Sequence, residues 1–142
     1  VEVVVRKMVD VIIVSHGAYA AGLREAAEMI LGEQERVTVM GLYPGETREY
    51  FTDNLERVID ELATPKNTLI LADLRSGTPF NASMMMVLKK GVTCVAGVNL
   101  TMLLEVLSAR DERGIEEMAS IAVKAGVEGI IDSDTLKLRE LK

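Results

Sequence analysis

A chain of 142 residues has room for one compact domain and little for a second. With 49% apolar and 27% charged residues the composition is that of an ordinary soluble globule, and a net charge of −6 argues against nucleic acid, which needs a basic face. One cysteine, Cys94, excludes an internal disulfide, and the longest uncharged run, Gly91 to Leu104, is too short and polar to cross a bilayer.

Residues 1–7 precede the first convincing strand and are expected to be an N-terminal extension without a role. They hold no long apolar stretch and no small-residue cleavage site, so secretion is not indicated. Val9 to Ser15 is a β-branched run of the length of a buried strand. Leu23, Ala26, Ala27, Ile30 and Leu31 then recur at helical spacing until Gly32. Val37 to Met40 predicts a second strand, Tyr43-Pro44-Gly45-Glu46 a turn, and Phe51, Leu55, Val58, Ile59 and Leu62 the apolar face of a second helix. Thr68 to Ala72 is the third strand. Thr78-Pro79 reads as an N-cap followed by proline at the first helical position of a helix carrying Met84, Met85, Met86, Val87 and Leu88. The methionine triplet suits packing. Val92 to Val98 is the fourth strand, followed by helices over Met102 to Ala109 and Ile115 to about Val127, the second with Ile115, Met118, Ala119, Ala122 and Val123 in register. The alternating tail Leu136-Lys137-Leu138-Arg139 suits a short edge strand.

Strands alternating with helices predict an α/β, doubly wound, mainly parallel four-stranded sheet with helices on both faces. The commonest start of that topology is the order 2-1-3-4, with a ligand crevice where the chain leaves strands 1 and 3 in opposite directions. His16 follows the first strand and Asp73 the third. Adjacent strand ends lie roughly 5 Å apart, so a hydrogen bond between the two is geometrically easy. Singly, His16 could be a structural histidine and Asp73 could merely satisfy loop amides. Paired, the carboxylate would fix the imidazole tautomer and leave the other ring nitrogen as a nucleophile. Ser76-Gly77-Thr78-Pro79 feeds a helix start and Gly17 opens another, and helix starts suit anions such as phosphate. The Thr78 hydroxyl could cap its helix, donate to a phosphoryl oxygen, or both. Arg75 is either a solvated loop charge or a contact for a phosphate-bearing partner. No Walker A or Gly-x-Gly-x-x-Gly pattern supports a nucleotide, and Ser15, adjoining His16 without a nucleophile elbow, makes a weak hydrolase triad.

Five blocks occur together and in order: Val11 to Gly17, Leu31-Gly32-Glu33-Gln34, Pro44-Gly45-Glu46, Asp73 to Asn81, and Gly97 to Leu103. This set resembles the EIIA domain of the mannose-type bacterial sugar phosphotransferase system, the mannose, fructose, sorbose and N-acetylgalactosamine group, over Val9 to Ile130. The resemblance implies a cytoplasmic phosphocarrier domain over residues 9–131, peripheral to the membrane at most through the transporter complex, and a tail or edge strand over 132–142. It implies that His16 accepts a phosphoryl group from the carrier HPr and passes it to EIIB, with the membrane components EIIC and EIID reached indirectly. Asp73 matches the family's acidic partner of the histidine, Thr78 its Ser/Thr beside the phosphate, and Gly17 and Gly77 the phosphate-binding loops. A homodimer exchanging its C-terminal strand is implied as well, and EIIB is expected on a separate protein. Ser76 replaces a usual glycine, Arg75 a common aromatic residue and Thr101 a usual proline, which bears on loop shape and partner contacts.

Such transfer needs positioning and charge stabilisation, and between two imidazole nitrogens it requires no metal or other cofactor. Three rivals stand beside it: a receiver-like signalling domain phosphorylated on Asp73, the phosphocarrier subunit of a dihydroxyacetone kinase, and a non-catalytic regulator. A receiver needs an acidic cluster after its first strand, whereas Asp10 lies at that strand's beginning. Pro79-Phe80-Asn81 favours the sugar system over the kinase subunit.

Overall fold

β-Branched and leucine-rich segments lie between the helices and form strands, the two central ones buried on both faces and the two outer ones half-buried, as a sheet sandwiched between helices demands. The computed structural model describes residues 8–140, with side chains through residue 136, so the expected extension over 1–7 lies outside the described residues. The strands are β1 (Asp10–His16), β2 (Val37–Leu42), β3 (Thr68–Ala72) and β4 (Thr93–Ala96), all parallel in the order β2-β1-β3-β4. The helices are α1 (Tyr19–Leu31), α2 (Arg48–Asp60), α3 (Thr78–Lys90), α4 (Leu100–Ala109), α5 (Ile115–Glu128) and α6 (Ser133–Glu140). The predicted order is the observed one.

Alternation along each strand divides the core in two. Val11 and Ile13 of β1 with Leu69 and Leu71 of β3 pack against α1, α4 and α5 through Leu23, Ala27, Leu103, Val106 and Met118. Ile12, Val14, Ile70 and Ala72 face α2 and α3 through Phe51, Leu55, Ile59 and Met86. Of the methionine triplet only Met86 reaches this core, because consecutive helical residues point in different directions; Met84 and Met85 are exposed. Val123 is exposed too, although its neighbour Ala122 is fully buried.

Side-chain caps fix two of the helix starts. Thr47 Oγ1 accepts from the Tyr50 amide at 3.0 Å, and Asn99 Oδ1 from the Met102 amide at 2.9 Å. At the N-terminal edge of the sheet Arg110, which follows α4, lies buried among carbonyls. It donates to the Val9 oxygen at 3.3 Å and the Arg36 oxygen at 3.1 Å, while Arg36 forms a two-point pair with Asp10 at 2.9 and 2.8 Å. Asp10 is thus engaged at the end of the sheet away from His16.

The tail departs from the expected edge strand. Residues 133–140 form α6, because Asp132 caps them locally: its carboxylate accepts from the Thr135 amide and hydroxyl, each at 2.8 Å. Four alternating residues carry too little periodicity to oppose that cap within a single chain.

Candidate functional site

β1 ends on His16, and the chain leaves β3 at Asp73, on the neighbouring strand. The Asp73 amide donates to the Val14 oxygen at 3.0 Å, which extends the ladder by one bond and sets the carboxylate beside the imidazole. His16 Nδ1 lies 2.8 Å from Asp73 Oδ2, and the His16 amide donates to the same oxygen at 2.8 Å. Asp73 Oδ1 accepts from the Leu74 amide at 2.9 Å. With its oxygens engaged by neighbouring donors, the carboxylate is held as an acceptor, and the proton of the His16–Asp73 bond belongs on Nδ1. The ring nitrogen Nε2 then carries the free lone pair. The Asp73 side chain is 8% exposed and that of His16 49%, so the acid is sheltered while the ring reaches solvent.

Gly77 closes on the other edge of the ring. A Cβ at this position would stand 3.0 Å from His16 Cε1 and 3.1 Å from Nε2. Its backbone, at φ 86° and ψ 177°, is a conformation that essentially only glycine adopts. The loop from Asp73 to Gly77 therefore holds the imidazole at Nδ1, passes close to its Cε1–Nε2 edge without a bond there, and delivers the chain into α3. In its first turn Pro79 has no N–H and the Asn81 amide donates to the Gly77 oxygen at 2.9 Å, so the Thr78 and Phe80 amides are the donors left for an anion at this helix start.

Thr78 departs from its expected capping role. Gly77 occupies the capping position and Thr78 is already helical. A side chain inside the first turn no longer points back at the free amides as a cap does. Among the described residues its hydroxyl makes no hydrogen bond. The Gly17 N–H donates to the Leu42 oxygen at 2.8 Å. Gly17 supplies a turn at φ 54°, and β2 passes so close that a Cβ on Gly41 would overlap the Gly17 oxygen at 2.2 Å.

Ser15 is a structural cap. Its buried hydroxyl accepts from the Ala20 amide at 2.8 Å and donates to the Gly17 oxygen at 3.3 Å, which leaves no free nucleophile. Tyr19, which the sequence reading did not single out, ties the start of α1 to the turn after β4: its hydroxyl donates to the Val98 oxygen at 2.7 Å. Burial, then the negative charge of Asp73, pushes the phenol above its ordinary pKa. Its place three residues after His16, on the first turn of the next helix, was the one signal available. Among the described residues no group of three His, Cys, Asp or Glu side chains could hold a metal ion, and no helix is long and apolar enough to cross a membrane.

The molecule is thus a doubly wound α/β domain whose histidine–aspartate pair stands at the switch point, where such sheets bind ligands. Residues 10–123 match the family model EIIA-man, described as the PTS system fructose IIA component, and the chain belongs to that family. It is 39% identical over 124 residues to the mannose-specific EIIAB component of Escherichia coli strain K12, an alignment covering 86% of this chain and 38% of that protein. The chain therefore spans well under half of that relative. It is 38% identical to the sorbose-specific EIIA component of Lacticaseibacillus casei, over 81% of this chain and 83% of the relative. The crystal structure of the phosphotransferase system component EIIA from Streptococcus agalactiae superposes with a TM-score of 0.83 at 30% identity, covering 90% of this chain and 99% of that one.

Proposed function

We propose that this chain is a cytoplasmic phosphocarrier of a sugar phosphotransferase system, taking a phosphoryl group from the phosphohistidine of HPr onto Nε2 of His16 and passing it to a histidine of EIIB. One observation carries the reading: Asp73 holds Nδ1 at 2.8 Å, leaving Nε2 open against Gly77 at the start of α3. The Nε2 lone pair attacks phosphorus in line, and the pair of the broken P–N bond returns to the donor nitrogen. The Nδ1 proton stays on His16, where Asp73 balances the positive charge that the ring acquires. First-turn amides of α3 and the unpartnered Thr78 hydroxyl hold the equatorial oxygens; Gly77 leaves room for them. EIIC and EIID are reached only through EIIB.

The receiver alternative fares poorly on the same geometry. Asp73 is sheltered and its carboxylate is bonded on both oxygens, so it presents no free attacking oxygen. Incubation with phospho-HPr tests the reading: the wild-type chain becomes labelled, His16→Ala does not, and Asp73→Ala is labelled about 10²-fold more slowly. Full labelling of His16→Ala would reject it.

The same reading includes a homodimer. The outer edge of β4 pairs with no strand among the described residues, and beside it Val123, Val127, Ile130 and Ile131 are 51%, 66%, 76% and 53% exposed. An open strand edge next to apolar surface favours a second copy. Exchange of the tail would require α6 to unwind and re-form as a strand. Sedimentation equilibrium should give twice the 15.5 kDa chain mass, and Ile130→Lys should shift the population toward monomer.

A further inference from the structure

The phosphoryl group that this site would hold brings close to two negative charges, and they arrive beside the carboxylate of Asp73 on a chain of net charge −6. Helix amides offer only partial positive charge. A full cation facing the equatorial oxygens would lower the barrier further, as arginine does in other phosphoryl transfers. The lysines of α3 do not supply it: Lys89 and Lys90 are bound to Glu56 and Asp60 across the α2–α3 seam.

Arg75 sits at the middle of the loop whose two ends flank the imidazole: Asp73 is bonded to Nδ1, and Gly77 lies where an added Cβ would stand 3.1 Å from Nε2. It is exposed, and among the described residues its guanidinium has no hydrogen bond or ion pair. The nearest acid in the chain, Asp73, instead accepts from His16 and from the Leu74 amide. An extended arginine is about as long as two Cα–Cα steps of roughly 3.8 Å, the distance along the chain from Arg75 to Gly77. From that position a guanidinium can meet two phosphoryl oxygens at once, which a lysine cannot match.

We propose that Arg75 is a further catalytic residue: its guanidinium clamps the phosphoryl group as phosphorus passes to and from Nε2 of His16. The inference rests on the phosphocarrier reading. In the step itself the donor P–N bond breaks, the P–Nε2 bond forms, and Arg75 gains or loses no proton; it acts by charge and hydrogen bonding alone.

Two phosphoryl donors separate this role from partner docking: phospho-HPr, which presents a protein surface, and phosphoramidate, which presents none. Single-turnover labelling of Arg75→Gln should be slowed 10- to 100-fold with both donors, in rough keeping with the loss of one charge-stabilising group. Arg75→Lys should recover part of the rate, and Arg48→Gln, a cation at the start of α2, should behave as wild type. In the labelled protein the phosphorus-31 resonance should titrate at higher pH in Arg75→Gln, because the dianion has lost its cation. A loss confined to phospho-HPr would make Arg75 a docking residue and overturn the proposal, as would unchanged rates with both donors or an equal loss in Arg48→Gln. Failure of the wild-type chain to be labelled by either donor would instead overturn the phosphocarrier reading.

Discussion

Single substitutions around the imidazole test separately the tasks proposed for its neighbours. Gly77 combines a glycine-only backbone at φ 86° with contact distances of 3.0–3.1 Å to the ring for any added Cβ. Gly77→Ala should therefore cost about 1–3 kcal/mol of stability and displace the imidazole. Urea unfolding measures the first effect, and loss of labelling at unchanged HPr affinity the second. Thr78 distinguishes two roles cleanly. With no cap bond to lose, Thr78→Val should stay within about 0.5 kcal/mol of the wild-type stability while transfer slows. A capping threonine would instead cost about 1 kcal/mol on substitution. Thr78→Ser, which keeps the hydroxyl, should retain the rate.

The elements are held by devices remote from the site. Arg110, buried at the far end of the sheet, joins the end of α4 to the carbonyls of Val9 and Arg36, and so pins β1 and the approach to β2. Burial pushes its pKa below the ordinary arginine value, and the charge is satisfied by carbonyl dipoles and by the nearby Asp10. Arg110→Met should destabilise the fold by about 3 kcal/mol, because it strands several buried acceptors. If its melting curve matched wild type, the carbonyl cluster would carry no weight. In β4, burial pushes the Cys94 thiol up to about 11 from an ordinary 9.0. The folded state thus keeps its proton where the unfolded state loses it, so this group's contribution is intact below about pH 9 and is lost as pH rises toward about 11. A thiol reagent at pH 8 should react with native Cys94 about 100-fold more slowly than with the urea-unfolded chain. Equal rates would place the thiol in contact with water.

At the scale of the whole molecule, the sheet was legible because β-branched runs such as Val11 to Val14 alternate with helical apolar stripes, and that rhythm admits few parallel topologies. The His16–Asp73 pair was legible for the same reason, since both residues end neighbouring strands. Tyr19 and Arg110 were not. Their partners are backbone carbonyls of Val98, Val9 and Arg36, 74 to 101 residues away along the chain, and no side-chain pattern announces a carbonyl. The tail misled because Leu136 to Arg139 alternates over too short a span, whereas the cap at Asp132 acts locally and decides for helix. Four of the five motif blocks follow the C-terminal ends of the strands, where His16 and Asp73 meet, whereas Leu31 to Gln34 lies at the opposite end, with Gln34 bound to Arg110.

The regiochemistry of the phosphorylated chain tests the account most directly. After reaction with phospho-HPr, nitrogen-15 and phosphorus-31 NMR of imidazole-labelled protein should place phosphorus on Nε2 of His16, with Nδ1 still protonated and hydrogen-bonded. Phosphorus on Nδ1, or an alkali-labile acyl phosphate on Asp73, would contradict it.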